Sequence, residues 1–139
     1  MPFPLQTPDY QALATFGYAQ RKLLRFSKEF LGRKTNLTPE QYEALLALKT
    51  FAPAVGLLVG ELSERLQVKH HTAVALTDRL AARKLVTKER GRVDRRQVFV
   101  QLTAAGVILI EAVAAVHRDA LRLHISEIMR ALTHVQKSG

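Results

Sequence analysis

Between Val59 and Thr103 the chain reads VGELSERLQVKHHTAVALTDRLAARKLVTKERGRVDRRQVFVQLT, and this stretch limits the fold more than any other. Leu62 and Leu66 stand about one helical turn apart in a short segment from Glu61 to Leu66. After Gln67 and Val68, a second segment from His70 to Arg83 carries Ala73, Leu76, Thr77 and Leu80 at the spacing of a helix with one buried stripe. Then the period changes. Val86 to Arg90 and Gln97 to Leu102 have the β-branched, alternating character of half-buried strands. Between them lies Gly91-Arg92-Val93-Asp94-Arg95-Arg96, a turn loaded with arginine.

The order helix, turn, helix, β-ribbon is that of a winged helix-turn-helix, a module that places one helix in the DNA major groove. The charge supports this. From Lys69 to Arg96 there are nine Lys or Arg against three acids, a net +6 of the chain's formal +9. A sequence pI near 10.4 favours a polyanionic partner, and the clustering of the cations favours nucleic acid over a membrane surface. On the helix from His70, a rotation of about 100° per residue puts His71, Ala75, Asp78 and Ala82 opposite the buried stripe. Thr72, Val74 and Arg79 flank that outer side. A bare carboxylate facing phosphate would be repelled, so Asp78 is expected to pair with a nearby arginine, beside Arg79 or in the wing, and so to orient it.

At 139 residues the chain is one protomer, expected to be mainly α with a small β component. Thr7-Pro8 is a capping hydroxyl followed by proline and starts a long helix that Gly32 is expected to stop; residues 1–6 before it read as a loose arm. Thr38-Pro39-Glu40-Gln41 has the form of a capping box and starts a helix ending before Pro53. Gly56 to Val59 is a candidate short strand that pairs with the ribbon. Thr103 caps a last helical region, which the sequence leaves open as one bent helix or two. The apolar residues of the first and last helical regions exceed what one small domain covers, so part of that surface is expected to meet another subunit. The cations Arg21, Lys22, Arg25, Lys28, Arg33 and Lys34 on the first helix read as a solvated face, with contact to a DNA backbone as the alternative.

Some classes drop out. There are no cysteines, so there is no disulfide framework and no thiolate metal site. The opening Met-Pro-Phe-Pro-Leu is too short and proline-rich for a signal peptide, and no apolar run approaches membrane-spanning length, so the expectation is a cytoplasmic protein without membrane contact. No glycine-rich phosphate loop, nucleophile elbow or metalloprotease motif is present, so the chain is not expected to be an enzyme, to have catalytic residues or to need a cofactor. Adjacent His70 and His71 diverge on a helix and would not chelate together. His117, His124 and His134 have no metal-ligand spacing, and no metal site is expected. A metal-responsive regulator built from scattered His and Glu stays an alternative.

Four pieces taken in order carry a resemblance. LTPEQYEALLAL (37–48), VGELSERLQV (59–68) and TAVALTDRLAARKLV (72–86) are followed by DRRQVFVQLTAAG (94–106). The last is the most specific, with Asp-x-Arg, a strand ending in Leu-Thr, and Gly in the next helix. The chain resembles the MarR (multiple-antibiotic-resistance regulator) family of winged-helix transcription factors over nearly its whole length.

The resemblance implies a homodimer held by residues 7–33 and 104–139, with 37–103 as the DNA-binding region of the single protomer. The partner would be a pseudo-palindromic double-stranded operator, and the mechanism would be repression relieved by a ligand. Candidate DNA-contacting residues are Lys69, His70, His71, Thr72, Ala75 and Arg79, together with Arg92, Arg95 and Arg96 in the wing. By resemblance Arg95 enters the minor groove, while Asp94 braces the wing by pairing with Arg96. A small aromatic or phenolic anion is the implied effector, with Phe16, Tyr42 and Phe51 as candidate lining; ordinary core packing is the competing reading for each. Two departures stand out. Ala75 occupies a position where relatives carry a long polar side chain, and a methyl cannot read guanine. Lys84 replaces the usual glycine after the recognition helix. A left-handed lysine costs roughly 1 kcal/mol, so the helix is expected to end differently here. The alternative from another class is a winged-helix protein used for nonspecific nucleic-acid binding or protein–protein assembly.

Overall fold

The computed structural model describes residues 4–52 and 54–138. The chain forms α1 (Thr7–Thr35), α2 (Pro39–Phe51), β1 (Leu57–Leu58), α3 (Val59–Leu66), α4 (His70–Ala82), β2 (Val86–Arg90), β3 (Val98–Leu102), α5 (Ala104–Leu121) and α6 (Ser126–Lys137). It divides into two compact units. One holds residues 31–115, with the helix-turn-helix and the sheet. The other holds the described parts of 1–30 and 116–139.

In the first unit β3 lies between β1 and β2 in an antiparallel sheet. Leu57 faces Val100 on one side, and Lys88 faces Val100 on the other. The short strand expected before Val59 is therefore present and pairs with the ribbon. The core of this unit is apolar: Leu45, Leu62, Ala73, Leu80, Val100 and Ile110 are all essentially fully buried. Thr38 caps α2 as expected. Its hydroxyl accepts from the Gln41 N–H at 3.1 Å, and the Gln41 side chain accepts from the Thr38 N–H at 3.0 Å.

Several helix ends differ from expectation. Gly32 does not stop α1, which continues to Thr35 and ends with Asn36 in the left-handed region at φ 60°. An exposed glycine weakens a helix without breaking it, and the terminal turn is held by the Thr35 hydroxyl donating to the Leu31 carbonyl at 2.7 Å. At the other end of α1 the Asp9 carboxylate, not the Thr7 hydroxyl, accepts a cap hydrogen bond, from the Gln6 N–H at 2.8 Å. The arm read before this helix falls partly outside the described residues. The region after Thr103 is two helices, α5 and α6. Thr103 caps the first by accepting from the Gly106 N–H at 3.0 Å.

In the second unit Ala12, Ala19, Phe30, His117 and Ala131 are buried. His134 Nε2 lies 3.1 Å from Asp9 Oδ1. The Gln6 N–H, and after it His134, hold the Asp9 carboxyl below the usual carboxylate range. Tyr10, Leu13, Tyr18 and Leu24 of α1 and Met129, Leu132 and Val135 of α6 stand exposed.

Candidate nucleic-acid interface

The first helix of the helix-turn-helix, α3, ends in a left-handed Gln67 at φ 54°, with the Val68 N–H donating to the Ser63 carbonyl at 3.0 Å. This closes the turn without glycine and feeds directly into α4. On α4 the expected stripe of Ala73, Leu76, Thr77 and Leu80 is buried. The Thr77 hydroxyl is satisfied by the Val74 carbonyl at 3.0 Å, so it can lie in the core. Burying one side leaves the other free. Lys69, His70, His71, Thr72, Ala75, Asp78 and Arg79 are all exposed.

The C-terminus of α4 corrects one expectation. Lys84 does adopt the left-handed conformation at φ 61°, in the place glycine usually takes. The Leu85 N–H donates to the Leu80 carbonyl at 3.0 Å and the Lys84 N–H to the Ala81 carbonyl at 2.9 Å. These are the paired bonds of a Schellman ending. Leu80 and Leu85 are both buried, supplying the apolar contact that accompanies it. The lysine tolerates its backbone strain because the surrounding bonds over-determine it. Arg83 adds a tie, donating to the Thr35 carbonyl at 3.1 Å and the Asn36 carbonyl at 3.3 Å. A cation therefore sits on the carbonyl end of α1, where the helix dipole favours it.

Asp78 is paired, with Lys88 of β2 instead of an arginine. The contact joins the outer side of α4 to the first strand of the wing. A groove of about 260 Å³ runs between the two, lined by His70, Val74, Lys88, Arg96, Gln97 and Val98 among others. The outer side of α4 and the base of the wing therefore share one surface. Lys88 escaped the sequence reading because a strand residue's neighbours on another element are not visible in spacing; its place opposite Val100 gives no hint of Asp78.

The wing tip is tightly folded. The Gly91 N–H donates to the Gln97 carbonyl at 2.9 Å, and the Gln97 N–H to the Asp94 carbonyl at 3.2 Å. A Cβ on Gly91 would lie 2.4 Å from the Asp94 carbonyl oxygen, so only glycine lets the chain approach itself this closely. Asp94 accepts from the Arg96 backbone N–H at 3.0 Å and from its guanidinium at 3.2 Å and 3.3 Å. The side-chain and backbone donors of Arg96 hold the Asp94 carboxyl below the usual range. The guanidinium of Arg90 donates to the Arg95 carbonyl at 3.1 Å. Asp94 and Arg96 thus pair in the way bracing requires, while the side chains of Arg92 and Arg95 are exposed. Val93 between them is fully exposed as well.

The candidate effector residues are scattered by environment. Tyr42 is buried in the core of the first unit, and that burial raises its phenol above the ordinary value. Phe51 is exposed, with Arg65 over one face of its ring and the guanidinium carbon 3.4 Å from the ring centre. Phe16 is half-buried in the other unit. Among the histidines, His117 stacks on Phe30 at 5.5 Å and lies 3.2 Å from the Ser27 hydroxyl. His124 stacks on Phe26 at 4.0 Å. Among the described residues no group of three or more His, Cys, Asp or Glu could hold a metal ion, and no helix is long and apolar enough to cross a membrane.

A buried-stripe helix exposed on its outer side, preceded by a short helix and followed by a braced, arginine-bearing ribbon, defines a winged helix-turn-helix. Residues 35–97 match the model of the MarR family. The HTH-type transcriptional repressor MdtR of Bacillus subtilis is 31% identical over 93 residues, which span 67% of this chain and 58% of that repressor. The HTH-type transcriptional repressor NicR of Pseudomonas putida is 27% identical over 128 residues, 90% of this chain and 79% of that one. A solved structure of Sco3205, a MarR family transcriptional regulator from Streptomyces coelicolor in complex with DNA, shares the fold at a TM-score of 0.83. It is 21% identical, and the match covers 99% of this chain and 88% of that one. The chain belongs to the MarR family.

Proposed function

We propose that this protein is a homodimeric, sequence-specific regulator of transcription that binds a pseudo-palindromic double-stranded operator in the cytoplasm and represses by occupying it. The observation that carries the reading is the single surface formed by α4 and the wing. The exposed outer side of α4 meets the wing through Asp78 and Lys88, and nine Lys or Arg lie between Lys69 and Arg96 against three acids. The relatives named as repressors, and a structural neighbour solved with DNA, support the same reading.

Within that surface His71, Thr72 and Arg79, with His70 and Lys69 at the helix start, face the major groove. Ala75 offers a methyl, which suits a thymine methyl and cannot reach guanine. Arg95 enters the minor groove, Arg92 follows the backbone, and Asp94 with Arg96 fixes the loop. The exposed apolar residues of α1 and α6 are the dimer surface, which gives a two-fold reader its two half-sites about one helical turn apart. A small aromatic anion is the proposed effector. It relieves repression by binding one spacing of the recognition helices better than the other, which is the only way a ligand can shift such a balance.

The test is selection of duplexes from a random pool, followed by affinity measurement across a salt series. A two-fold-symmetric site, bound by two protomers at least roughly 10³-fold more tightly than random DNA, is the expected result. A steep salt dependence without that ratio would mark a nonspecific binder and overturn the proposal.

A further inference from the structure

The wing tip presents an apolar side chain where a solvated turn would carry a polar one. Val93 is 102% exposed, the most exposed of the large apolar residues in the described chain. It is not there through looseness. The tip is closed by the Gly91–Gln97 and Gln97–Asp94 backbone bonds, by Arg96 on Asp94, and by Arg90 on the Arg95 carbonyl. The close approach of Gly91 to the Asp94 carbonyl fixes the turn just before and after Val93. A β-branched residue is also stiff at χ1. The closed turn thus presents two methyl groups to water, on a loop that also carries the exposed cations Arg92 and Arg95.

We propose that Val93 is a specificity-determining residue that reads the minor groove of A·T pairs beside the major-groove site. This rests on the DNA-binding reading above and extends it. The exposed cations Arg92 and Arg95 on the same loop name the occupant, because a polyanion can meet both while Asp94 is already held by Arg96. A protein surface apolar enough to cover Val93 would have to leave Arg92 and Arg95 unpaired or supply two acids. The groove floor then decides between bases. A·T pairs present only acceptors there, whereas G·C adds the guanine 2-amino donor. An apolar side chain against that donor buries it without a partner, and an unpaired buried donor is penalised. Methyl groups against an A·T floor bury no donor, in the manner of other apolar minor-groove contacts. Val93 therefore excludes guanine, a task separate from the attraction that Arg95 exerts through charge.

The experiment uses the full protein and a duplex that it has itself selected, with the minor-groove flank made A·T, G·C or I·C in turn. Inosine keeps the major-groove face of guanine and lacks the 2-amino group. Val93→Thr keeps the side-chain shape and replaces one methyl by a hydroxyl that can accept from that amino group. Because Val93 touches nothing in the fold, the variant is expected to fold as the parent does, checked by its unfolding midpoint. For the parent, G·C is expected to bind about five- to tenfold more weakly than A·T, with I·C restoring most of the loss, the scale of one unsatisfied donor. Val93→Thr is expected to bring the G·C and A·T affinities within about twofold while leaving the salt slope unchanged. If Val93→Thr keeps the parent's G·C penalty, or if the parent shows none, the proposal is wrong and any groove preference belongs to Arg95. If no duplex is enriched at all, the DNA-binding reading itself fails, a result distinct from either of these.

Discussion

Gly106→Ala tests the physical reason for the last residue of the wing pattern. Gly106 is in the first turn of α5, where alanine in place of glycine ordinarily favours a helix by about 1 kcal/mol. Here the added Cβ would sit 2.2 Å from the Leu85 carbonyl oxygen and 3.2 Å from Leu102 Cδ2. The first contact is with backbone, so a side-chain rotation cannot relieve it. That carbonyl also accepts the Thr103 N–H at 3.0 Å, and Leu85 is buried. Moving it away loses a hydrogen bond and leaves buried polar groups short of a partner, roughly 1–3 kcal/mol. Residual overpacking adds about 1–3 kcal/mol. Against the helix gain the net effect is a loss of about 1–5 kcal/mol, a large share of a typical domain's stability. The control is Gly32→Ala, at a helical position where a Cβ meets nothing within 4 Å and a gain of roughly 0.5–1 kcal/mol is expected. Urea unfolding at one fixed protein concentration reads both. If Gly106→Ala unfolds at or above the parent's midpoint, the close approach of α5 to the end of α4 is not what requires glycine.

Four further outcomes are expected. Arg95→Ala weakens binding to a selected operator by about tenfold or more, measured by titration at physiological salt; unchanged affinity would remove Arg95 from the interface. Lys88→Met leaves the Asp78 carboxylate unpaired beside the DNA and lowers affinity about two- to tenfold, as suits an exposed pair. Adding Asp78→Asn should recover most of that loss, and a double variant as weak as the single one would contradict the pairing argument. Lys84→Gly removes the strain of a left-handed lysine and raises stability by roughly 0.5–1 kcal/mol in denaturant unfolding, whereas a loss would show that the lysine side chain matters more than its backbone. Burial lowers the His117 imidazole from its ordinary 6.5. Its stabilising contribution is therefore complete above that value and is lost as pH falls through the lower folded one. His117→Gln should flatten the decline in unfolding midpoint just below pH 6.5, and an identical slope in parent and variant would count against burial of a neutral ring.

The residue pattern alone determined the order of elements, the buried stripe of α4, the capping box at Thr38 and Gln41, and the arginine-bearing ribbon. These are local. Helical and strand periods, caps and turns depend on residues within a few positions of one another, and burying Leu76 and Leu80 forces Ala75 and Asp78 outward whatever else the chain does. The family pattern was legible for the same reason, including its Gly106. What only the tertiary structure decided involves partners far apart in sequence or a balance of small terms. Asp78 finds Lys88 and not an arginine because β2 folds back beside α4. The left-handed Lys84 survives because Leu80, Ala81 and Leu85 close a Schellman ending around it, and the periodicity that located the helix says nothing of that ending's strength. Gly32 does not stop α1, because one glycine costs a helix less than the Leu31–Thr35 bond and the burial of Leu31 contribute. Gly106 is glycine because the Leu85 carbonyl passes where a methyl would be, a proximity between residues twenty-one apart that no spacing in the sequence encodes.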